Sequence, residues 1–279
     1  MSVTLNMPTL HDEAIASWKV NAAYWDDGIG QGGNKYWKRL QLPALERMIP
    51  FPTGTETRVL ELATGNGLVA RWLASNGASV LATDVNTEML EIAARRELPE
   101  HKGKISYLQL DITDPEKLDA LAADHARGFD VVIINMAIMD ISTIEPLAAA
   151  LPKLLKEGGI FVGTVPHPVF FTSGARRSIQ IVDGGPDGYP IVIRAKTIEK
   201  YLDVPPHRGV ALYGQPAKQV YYHRPMDELF STFFKAGLVM DAMEEPAFTS
   251  EDAVPEKLEA HPNYTQLPAI LAFRMRQVV

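Results

Sequence analysis

Cysteine is absent from this sequence of 279 residues. Disulfides and thiolate chemistry are therefore excluded, and a reducing, cytoplasmic setting is expected. Long apolar runs are also lacking, and the N-terminus has no basic region followed by an apolar stretch, so neither a membrane span nor a secretory signal is predicted. Positive charge is not in excess either: the net charge of −7 disfavours a protein that binds nucleic acid through a basic face. No metal-ligand motif is evident, and no metal site is expected.

What the chain does contain is the composition of an ordinary folded domain. Apolar residues make up 46% of the sequence and charged residues 22%, which is typical of a globular protein with an ample core. The length favours one domain that carries an insertion.

Residues 59–67, Val-Leu-Glu-Leu-Ala-Thr-Gly-Asn-Gly, form the most informative stretch. An apolar strand that contains Glu61 turns through two glycines and runs into a helix-like segment, 68–76. Open α/β sheets bind their ligands at such turns, at the carboxyl ends of strands. Gly65 and Gly67 allow a sharp turn and a close approach of the backbone to a ligand. A carboxylate at Glu61 favours a ligand with an ammonium group over an anionic pyrophosphate.

The same pattern, an apolar strand followed by a polar residue, recurs three times. The predicted strands cover 79–83, 105–110 and 131–134, and their ends are marked by Asp84, Asp111 and Asn135. Helix-like segments lie between them, at 87–96, 115–123 and 144–156. Strands that alternate with helices in this way predict a parallel, doubly wound sheet with polar groups along one rim.

Together these motifs resemble those of the class I S-adenosylmethionine-dependent methyltransferases. The family's first motif stands here as Leu60-Glu61-Leu62-Ala63-Thr64-Gly65-Asn66-Gly67, with Ala63 in place of the first glycine. Further matches are Ala82-Thr83-Asp84-Val85 with Met89-Leu90, Leu110-Asp111-Ile112, Asp130–Asn135 and Leu155-Lys156-Glu157-Gly158-Gly159. The resemblance covers about residues 57–168 and indicates a small-molecule enzyme of this family.

The resemblance also predicts the overall fold. Residues 237–245 and 267–278 read as two strands joined without a crossover helix, which makes them an antiparallel pair, as in the family's reversed last strand. The expected fold class is α/β, with a seven-stranded, mostly parallel, doubly wound sheet, an antiparallel last strand and helices on both faces. Four regions are expected: an N-terminal helical lid (1–50), the Rossmann-like cofactor-binding core (51–168), an inserted substrate-recognition segment (169–224), and a helix with the last two strands (225–279).

An NAD(P)-dependent oxidoreductase is the strongest competing interpretation. Residues 65–70, Gly-Asn-Gly-Leu-Val-Ala, satisfy the dinucleotide fingerprint, and Asp84 stands near the position of a ribose-binding acid. The carboxylate at Glu61, the Asp111-Ile112 pair and the antiparallel end of the chain count against it.

The family resemblance implies roles for the residues along the rim. Gly65 and Gly67 would hold the methionyl carboxylate, Glu61 the ammonium group, Asp84 the two ribose hydroxyls and Asp111 the adenine amino group. Capping of the following helix is the structural alternative for each acid. The full set of expected cofactor-binding residues is Tyr24, Tyr36, Glu61, Ala63, Thr64, Gly65, Gly67, Asp84, Val85, Met89, Asp111, Ile112, Asn135, Met136 and Ala137.

The residues that bind the methyl acceptor are harder to predict from the sequence. His167, between two prolines directly after the fifth strand (160–165), is the candidate general base, with bracing of its own loop as the alternative. His223 and Asp140 are further candidates, each with helix capping as its alternative. The expected substrate-binding residues are Met139, Asp140, His167, Tyr222 and His223.

The N-terminal region is dense in aromatic residues. Trp18, Tyr24, Trp25, Tyr36 and Trp37 would ordinarily pack two amphipathic helices on the sheet. A lid that closes over the cofactor is the functional alternative, since the glycines at 28–33 would permit movement. We assign Tyr24 and Tyr36 to such a lid.

Three functions are compatible with these observations. The first is O- or N-methylation of a small organic acceptor, with S-adenosylmethionine as cofactor and no nucleic-acid or membrane partner, by a monomer or homodimer. The second uses the sulfonium charge for another reaction, such as a cyclisation or elimination. The third is a non-catalytic cofactor-binding protein.

Overall fold

The N-terminal part of the chain is helical. The computed structural model describes residues 7–51, 56–96, 103–185 and 187–278. Helix α1 spans Met7–Ile29 and stops at Gly30, whose φ of +67° is left-handed. A π-helical segment, Trp37–Gln41, follows and leads directly into helix α2, Leu42–Met48. In the π-helical segment the N–H of Leu42 bonds to the carbonyl of Trp37, five residues earlier. Pro43, which has no N–H, lies in the first turn of α2, where an N–H would have no partner within the helix.

Strands and helices then alternate through the core. In chain order they are β1 (Arg58–Leu62), α3 (Leu68–Ser75), β2 (Ser79–Asp84), α4 (Thr87–Arg95), β3 (Lys104–Gln109), α5 (Pro115–Asp124), β4 (Phe129–Asn135), α6 (Glu145–Leu154) and β5 (Leu155–Pro166). Four strands of the insertion follow, β6 (Ala175–Val182), β7 (Ile191–Ile198), β8 (His207–Gly209) and β9 (Gln219–Tyr221). The chain ends with α7 (Met226–Lys235), β10 (Leu238–Glu244) and β11 (Ile270–Gln277).

Seven of these strands form one sheet in the order β10-β11-β5-β4-β1-β2-β3. The first five strands are mutually parallel, and β11 is antiparallel to both of its neighbours, β5 and β10. The predicted fold class is therefore confirmed, and the reversed strand lies between β5 and β10. One apolar cluster packs α5, α6 and α7 on one face of the sheet, and a second packs α2 and α3 on the other.

The fifth strand is longer than predicted. It was expected over 160–165, yet pairing with β4 already begins at Leu155, opposite Phe129. The register shifts before Val131 pairs with Ile160, so the intervening residues form a bulge, with Gly158 at a φ of +75°. The post-helix motif thus belongs to the strand.

The position of β1 determines where a ligand can bind. This strand pairs with β2 on one side and β4 on the other, so the chain winds in opposite directions from it. In doubly wound sheets a crevice opens at such a point, outside the carboxyl ends of the strands. Among the described helices, none is both long and apolar enough to cross a membrane.

Candidate functional site

A cavity of about 630 Å³ opens at the carboxyl ends of the strands next to β1. Its volume falls within the range of about 300–1,000 Å³ that is usual for small-molecule sites. The turns after β1, β2 and β4 form its floor, and residues of α1 and of β8 and β9 form its walls. Of the fifteen residues expected to bind cofactor, all but Tyr24 and Gly67 line it; of the expected substrate-binding residues, all but His167 do.

The turn after β1 is held in an unusual backbone conformation. Ala63 and Gly65 have φ values of +54° and +56°, and Gly67, which precedes α3, has a φ of +76°. A Cβ on Gly65 would meet no atom within 4 Å, so this backbone is open to the cavity that it lines. A ligand can therefore approach the backbone closely at this position.

Gly67 differs from the expectation that both glycines face the ligand. A Cβ there would lie 2.9 Å from the Cβ of Ala93 in α4 and 3.1 Å from a guanidinium nitrogen of Arg71. The residue does not line the cavity. Gly67 is therefore required by its left-handed backbone and by the packing of α3 against α4, rather than by ligand approach.

Glu61 is a buried carboxylate at the cavity floor. Its side chain is 2% exposed, and its Oε2 accepts a hydrogen bond of 2.8 Å from the hydroxyl of Thr64. Burial raises the pKa of Glu61 to about 8, although the Thr64 hydrogen bond opposes this change. A carboxyl group in this setting gains most from a ligand that brings a positive charge.

Asp84 connects the first two strand ends. One carboxylate oxygen accepts the N–H of Gly65 and the other accepts the N–H of Asn86, both at 2.9 Å. Burial raises the pKa of Asp84 to about 6 in spite of these bonds. Each oxygen retains acceptor capacity, so the carboxylate can still receive two hydroxyl groups from a ligand in the cavity.

Asp111 follows β3 and is held from both sides. Its Oδ1 accepts the N–H and the hydroxyl of Thr113 at 2.9 and 2.7 Å, and its Oδ2 lies 3.2 Å from Nε2 of His11 in α1. Helix α5 is capped by Asp114, whose side chain accepts from two backbone N–H groups. Capping therefore does not explain Asp111. Its apolar surroundings in the cavity are Val85, Met89 and Ile112.

The turn after β4, residues 135–137, lines the cavity mainly with its backbone. Met136 has a φ of +52°, which is rare for a side chain of this size, and its N–H bonds to the carbonyl of Thr164 at 3.0 Å. The Asn135 side chain is engaged within the protein, since its oxygen accepts from the Thr164 hydroxyl at 2.7 Å and its nitrogen donates to Gln41 at 3.0 Å. Asn135, Met136 and Ala137 thus present mainly a fixed backbone.

His167 lies outside the cavity, contrary to its prediction as the base. Its ring is buried, Nε2 is 2.8 Å from a carboxylate oxygen of Glu245, and Nδ1 accepts the N–H of Val169 at 3.3 Å. Burial is the main cause of its lowered pKa. With both nitrogens occupied, the imidazole braces the loop between Pro166 and Pro168, and only these two prolines reach the cavity wall.

The two tyrosines assigned to the lid behave differently. The Tyr24 hydroxyl donates to the carbonyl of Tyr213 at 2.5 Å, at the surface and outside the cavity, so its assignment to the cofactor site is corrected. Tyr36 does line the cavity, where its hydroxyl is 2.7 Å from Nδ1 of His261. The aromatic residues that α1 does contribute are Trp18 and Trp25.

At the end of the cavity nearest the insertion lie Met139, Asp140, Tyr222 and His223. The Tyr222 N–H donates to the carbonyl of Met139 at 2.7 Å, which joins the strand β9 to the turn after β4. His223 bonds through Nε2 to the carbonyl of Tyr201 at 2.6 Å, so one of its ring nitrogens is already engaged.

Several cavity residues had no signal in the sequence. Three are histidines, His11, His207 and His261, which stand in no motif and come from distant parts of the chain. The tryptophans Trp18 and Trp25 were visible as part of an aromatic cluster. Their helical spacing, however, is equally typical of core packing.

Comparison with known proteins agrees with this geometry. Residues 60–161 match the family model described as a methyltransferase domain. A ubiquinone biosynthesis O-methyltransferase of Vibrio atlanticus is 28% identical over 162 residues, which cover 56% of this chain. The match spans 65% of that relative's length, and 61% in the corresponding protein of Vibrio vulnificus.

Solved structures extend the likeness in fold to most of the chain. An S-adenosylmethionine-dependent methyltransferase from Mesorhizobium loti superposes with a TM-score of 0.64 at 24% identity, covering 89% of this chain and all of that one. The glycopeptide N-methyltransferase MtfA, in complex with S-adenosylhomocysteine, gives a TM-score of 0.53 at 17% identity over 92% of this chain and 97% of its own. Residues 60–161 thus match a methyltransferase domain, and most of the chain shares the fold of solved S-adenosylmethionine-dependent methyltransferases.

Proposed function

We propose that the protein binds S-adenosylmethionine in the cavity and transfers its methyl group to a small organic acceptor. The cofactor supplies an electrophilic methyl group on a positively charged sulfur. In this proposal the open backbone at Gly65 receives the methionyl carboxylate and Glu61 faces the ammonium group. Asp84 receives the ribose hydroxyls, and Asp111 accepts from the adenine amino group between Val85, Met89 and Ile112.

The observation that carries the proposal is the buried carboxyl group of Glu61 beside the open backbone of Gly65. A dinucleotide would place an anionic pyrophosphate at this turn, next to a second buried acid, Asp84. Like charges in a desolvated site repel strongly. An amino acid moiety, with a cation and an anion on one carbon atom, would bring its positive charge to the carboxyl group of Glu61 and its anion to the open turn at Gly65.

For the acceptor we propose a hydroxyl group on a small, largely apolar or aromatic molecule. The relatives from Vibrio species are named O-methyltransferases, and the acceptor end of the cavity is lined by aromatic rings, including Trp18, Phe171 and Tyr221. Such rings provide flat apolar surface with polar edges. Fixed walls favour a reaction in which alignment of the two reactants supplies much of the acceleration.

We propose that α1 and the segment that contains β8 and β9 act together as the cover of this site. The side chain of Asn21 makes two bonds of 2.9 Å with the backbone of Ala217, and Glu13 forms an ion pair with Arg208. The four regions expected from the sequence then have distinct tasks: residues 51–168 hold the cofactor, and residues 1–50 and 169–224 select the acceptor. Residues 225–279 complete the sheet.

We further propose that the enzyme is cytoplasmic and works as a monomer or homodimer. The lack of cysteine is consistent with either state, because no intermolecular disulfide can form. Sedimentation velocity of the purified protein distinguishes the two states.

Calorimetric titration with S-adenosylmethionine, S-adenosylhomocysteine and NADH tests the cofactor assignment. We expect binding of the first two and none of NADH. Asp84→Ala should weaken binding by about 1.5–3 kcal/mol, the loss typical of hydrogen bonds to a charged group. Asp114→Ala is the matched control: it removes a carboxylate that caps α5 outside the cavity and should leave affinity unchanged. Tight NADH binding, or unchanged affinity in folded Asp84→Ala, would overturn the assignment.

Incubation with cofactor labelled in the methyl group tests the reaction. Transfer of label to a hydroxyl compound in a panel of phenols and alcohols is the expected result. Transfer only to amines would shift the proposal to N-methylation. Consumption of the cofactor without a labelled product would indicate that the sulfonium charge serves another reaction.

A further inference from the structure

Three buried polar atoms in the wall of the cavity have no hydrogen-bond partner within the described part of the chain. They are Oδ1 of Asp140, Nδ1 of His207 and the hydroxyl of Tyr222. All three residues line the cavity. Buried polar atoms of a folded protein are nearly always paired, so each exception needs an explanation.

The chain brings these three residues to one wall. Asp140 ends the short 3₁₀ turn Ile138–Asp140 after β4, and the backbone bond from Tyr222 to Met139 fixes Tyr222 beside this turn. His207 is paired with Tyr221 across β8 and β9, and their rings are 5.4 Å apart.

An isolated unpaired atom is a local defect, but three in one wall of a cavity call for a common cause. Each buried donor or acceptor without a partner destabilises the folded state. A ligand that enters the cavity with its own polar group restores the missing bonds. All three atoms belong to residues of the cavity wall, so these residues are natural partners for the polar part of a ligand.

We propose that Asp140, His207 and Tyr222 form the polar end of the acceptor site, and that Asp140 takes the proton of an acceptor hydroxyl during methyl transfer. This inference rests on the proposed function. The hydroxyl oxygen forms a new C–O bond with the methyl carbon, and the C–S bond breaks with its electron pair left on sulfur. The O–H bond breaks, and the proton passes to the carboxylate of Asp140. Tyr222 and His207 hold the acceptor oxygen in place.

Charge favours a hydroxyl acceptor over a protonated amine. An ammonium group would place a second positive charge in the same low-dielectric cavity as the sulfonium, and it has no lone pair with which to attack. A neutral hydroxyl avoids both problems. After transfer Asp140 is a neutral acid, which is the form that a buried site prefers.

The surroundings of Asp140 agree with a proton acceptor. Burial raises its pKa well above the ordinary range, opposed only by a hydrogen bond from Trp18. After burial, the charge of Asp140 is a further cause of the raised pKa values of Tyr221, at the end of β9, and of Tyr222, directly after it. The ring of His207, whose own pKa is lowered by burial, lies 5.4 Å from that of Tyr221. Arg224 lies behind the turn and donates to the carbonyls of Ile138, Ile141 and Ser142.

The first test needs no acceptor. Tyr222→Phe removes a buried hydroxyl that has no partner, and Asp140→Asn removes a buried charge; both nearly preserve the side-chain volume. The melting temperature of the protein without ligand should therefore stay the same or rise. Thr164→Val is the matched control, because the Thr164 hydroxyl is buried and bonded to both Asn135 and Met136, and its loss should lower the melting temperature. A marked fall in both Tyr222→Phe and Asp140→Asn would assign these groups a structural role and overturn the proposal.

The second test measures binding without turnover. Catechol and 1,2-dimethoxybenzene have the same ring, but only catechol has O–H groups. Each is titrated into protein saturated with S-adenosylhomocysteine, and binding is followed by the fluorescence of Trp18 in the cavity wall. We expect catechol to bind at least about tenfold more tightly, the equivalent of one hydrogen bond in a buried site. Asp140→Asn and Tyr222→Phe should abolish this preference while affinity for S-adenosylhomocysteine is unchanged.

The outcomes separate the two proposals. If the native protein fails to bind S-adenosylhomocysteine, the proposed function itself fails. If it binds S-adenosylhomocysteine but shows no preference for catechol, only the inference about Asp140, His207 and Tyr222 is overturned.

Turnover with an accepted hydroxyl compound identifies the proton acceptor. Asp140→Asn should lower turnover by about 10²–10⁴-fold. The native pH–rate profile should rise through a pKa above the ordinary aspartate value of 3.8, and the variant should lose this limb. Asp111→Asn, another carboxyl group of the cavity, should weaken cofactor binding and keep the limb. Full turnover in Asp140→Asn would remove it from the reaction.

Discussion

Glu61→Gln should stabilise the protein in the absence of ligand, and the effect should grow with pH. The substitution preserves side-chain volume and leaves an oxygen to accept from Thr64, so the loss of a buried charge is the main change. Because burial raises the pKa of Glu61 from 4.5 to about 8, the folded protein holds a proton that the unfolded chain has released between these values. Stability is therefore lost as pH rises from about 4.5 through about 8.

The size of this effect follows from the two pKa values. At about 1.4 kcal/mol per pKa unit, Glu61 lowers the free energy of unfolding by about 1 kcal/mol at pH 5, about 3 kcal/mol at pH 7 and nearly 5 kcal/mol at pH 8.5. Asp140 also has a raised pKa, but it titrates in both proteins and cancels in the difference, whereas the charge of Asp84 is itself one cause of the raised pKa of Glu61.

Urea unfolding of the native protein and Glu61→Gln at these three pH values measures the difference directly. Glu46→Gln, on the exposed face of α2, is the matched control for the loss of one negative charge. A difference in unfolding free energy that does not change between pH 5 and pH 8.5 would refute the reasoning. Addition of S-adenosylmethionine at pH 7 should make the native protein more stable than Glu61→Gln, because its ammonium group is expected to pair with ionised Glu61. The proton that Glu61 then releases should be detectable by calorimetry in buffers of different ionisation enthalpy.

Three further substitutions test how the rest of the site is built. Ala63→Gly should raise the free energy of unfolding by about 0.5–1 kcal/mol, because glycine adopts the φ of +54° without strain; a lower value in urea unfolding would contradict this. Gly67→Ala should lower the free energy of unfolding by about 1–3 kcal/mol, since the residue has a φ of +76° and its new Cβ would lie 2.9 Å from that of Ala93. An unchanged thermal melting curve would contradict this prediction. His167→Gln should lower the melting temperature through loss of the bond to Glu245 and leave cofactor affinity and turnover unchanged, whereas a large loss of turnover in a well-folded variant would return His167 to the reaction.

The sequence by itself determined the sheet and the rim of polar residues at the carboxyl ends of its strands. Each of the two acids lies at the end of a strand, since Asp84 is the last residue of β2 and Asp111 comes two residues after β3. Because the carboxyl ends of parallel strands share one edge, local order along the chain is enough to predict that these carboxylates meet. Glu61 was identifiable for the same reason, within a motif of adjacent residues.

The side of a turn to which a residue points could not be predicted in this way. Gly65 and Gly67 are alike in sequence, yet one opens onto the cavity and the other packs against Ala93. His167 directly follows the end of the fifth strand, as a catalytic residue would, but its partner Glu245 comes from the opposite end of the chain. A difference of one or two residues in a turn reverses the side to which a side chain points.

Other parts of the cavity wall were decided by tertiary structure alone. His11, His207 and His261 are widely separated in the sequence and line one cavity only in the folded chain. Such contacts depend on the packing of whole elements and leave no period or spacing in the sequence. The missing partners of Asp140, His207 and Tyr222 are a property of the folded wall, since every polar group of an unfolded chain is bonded to water.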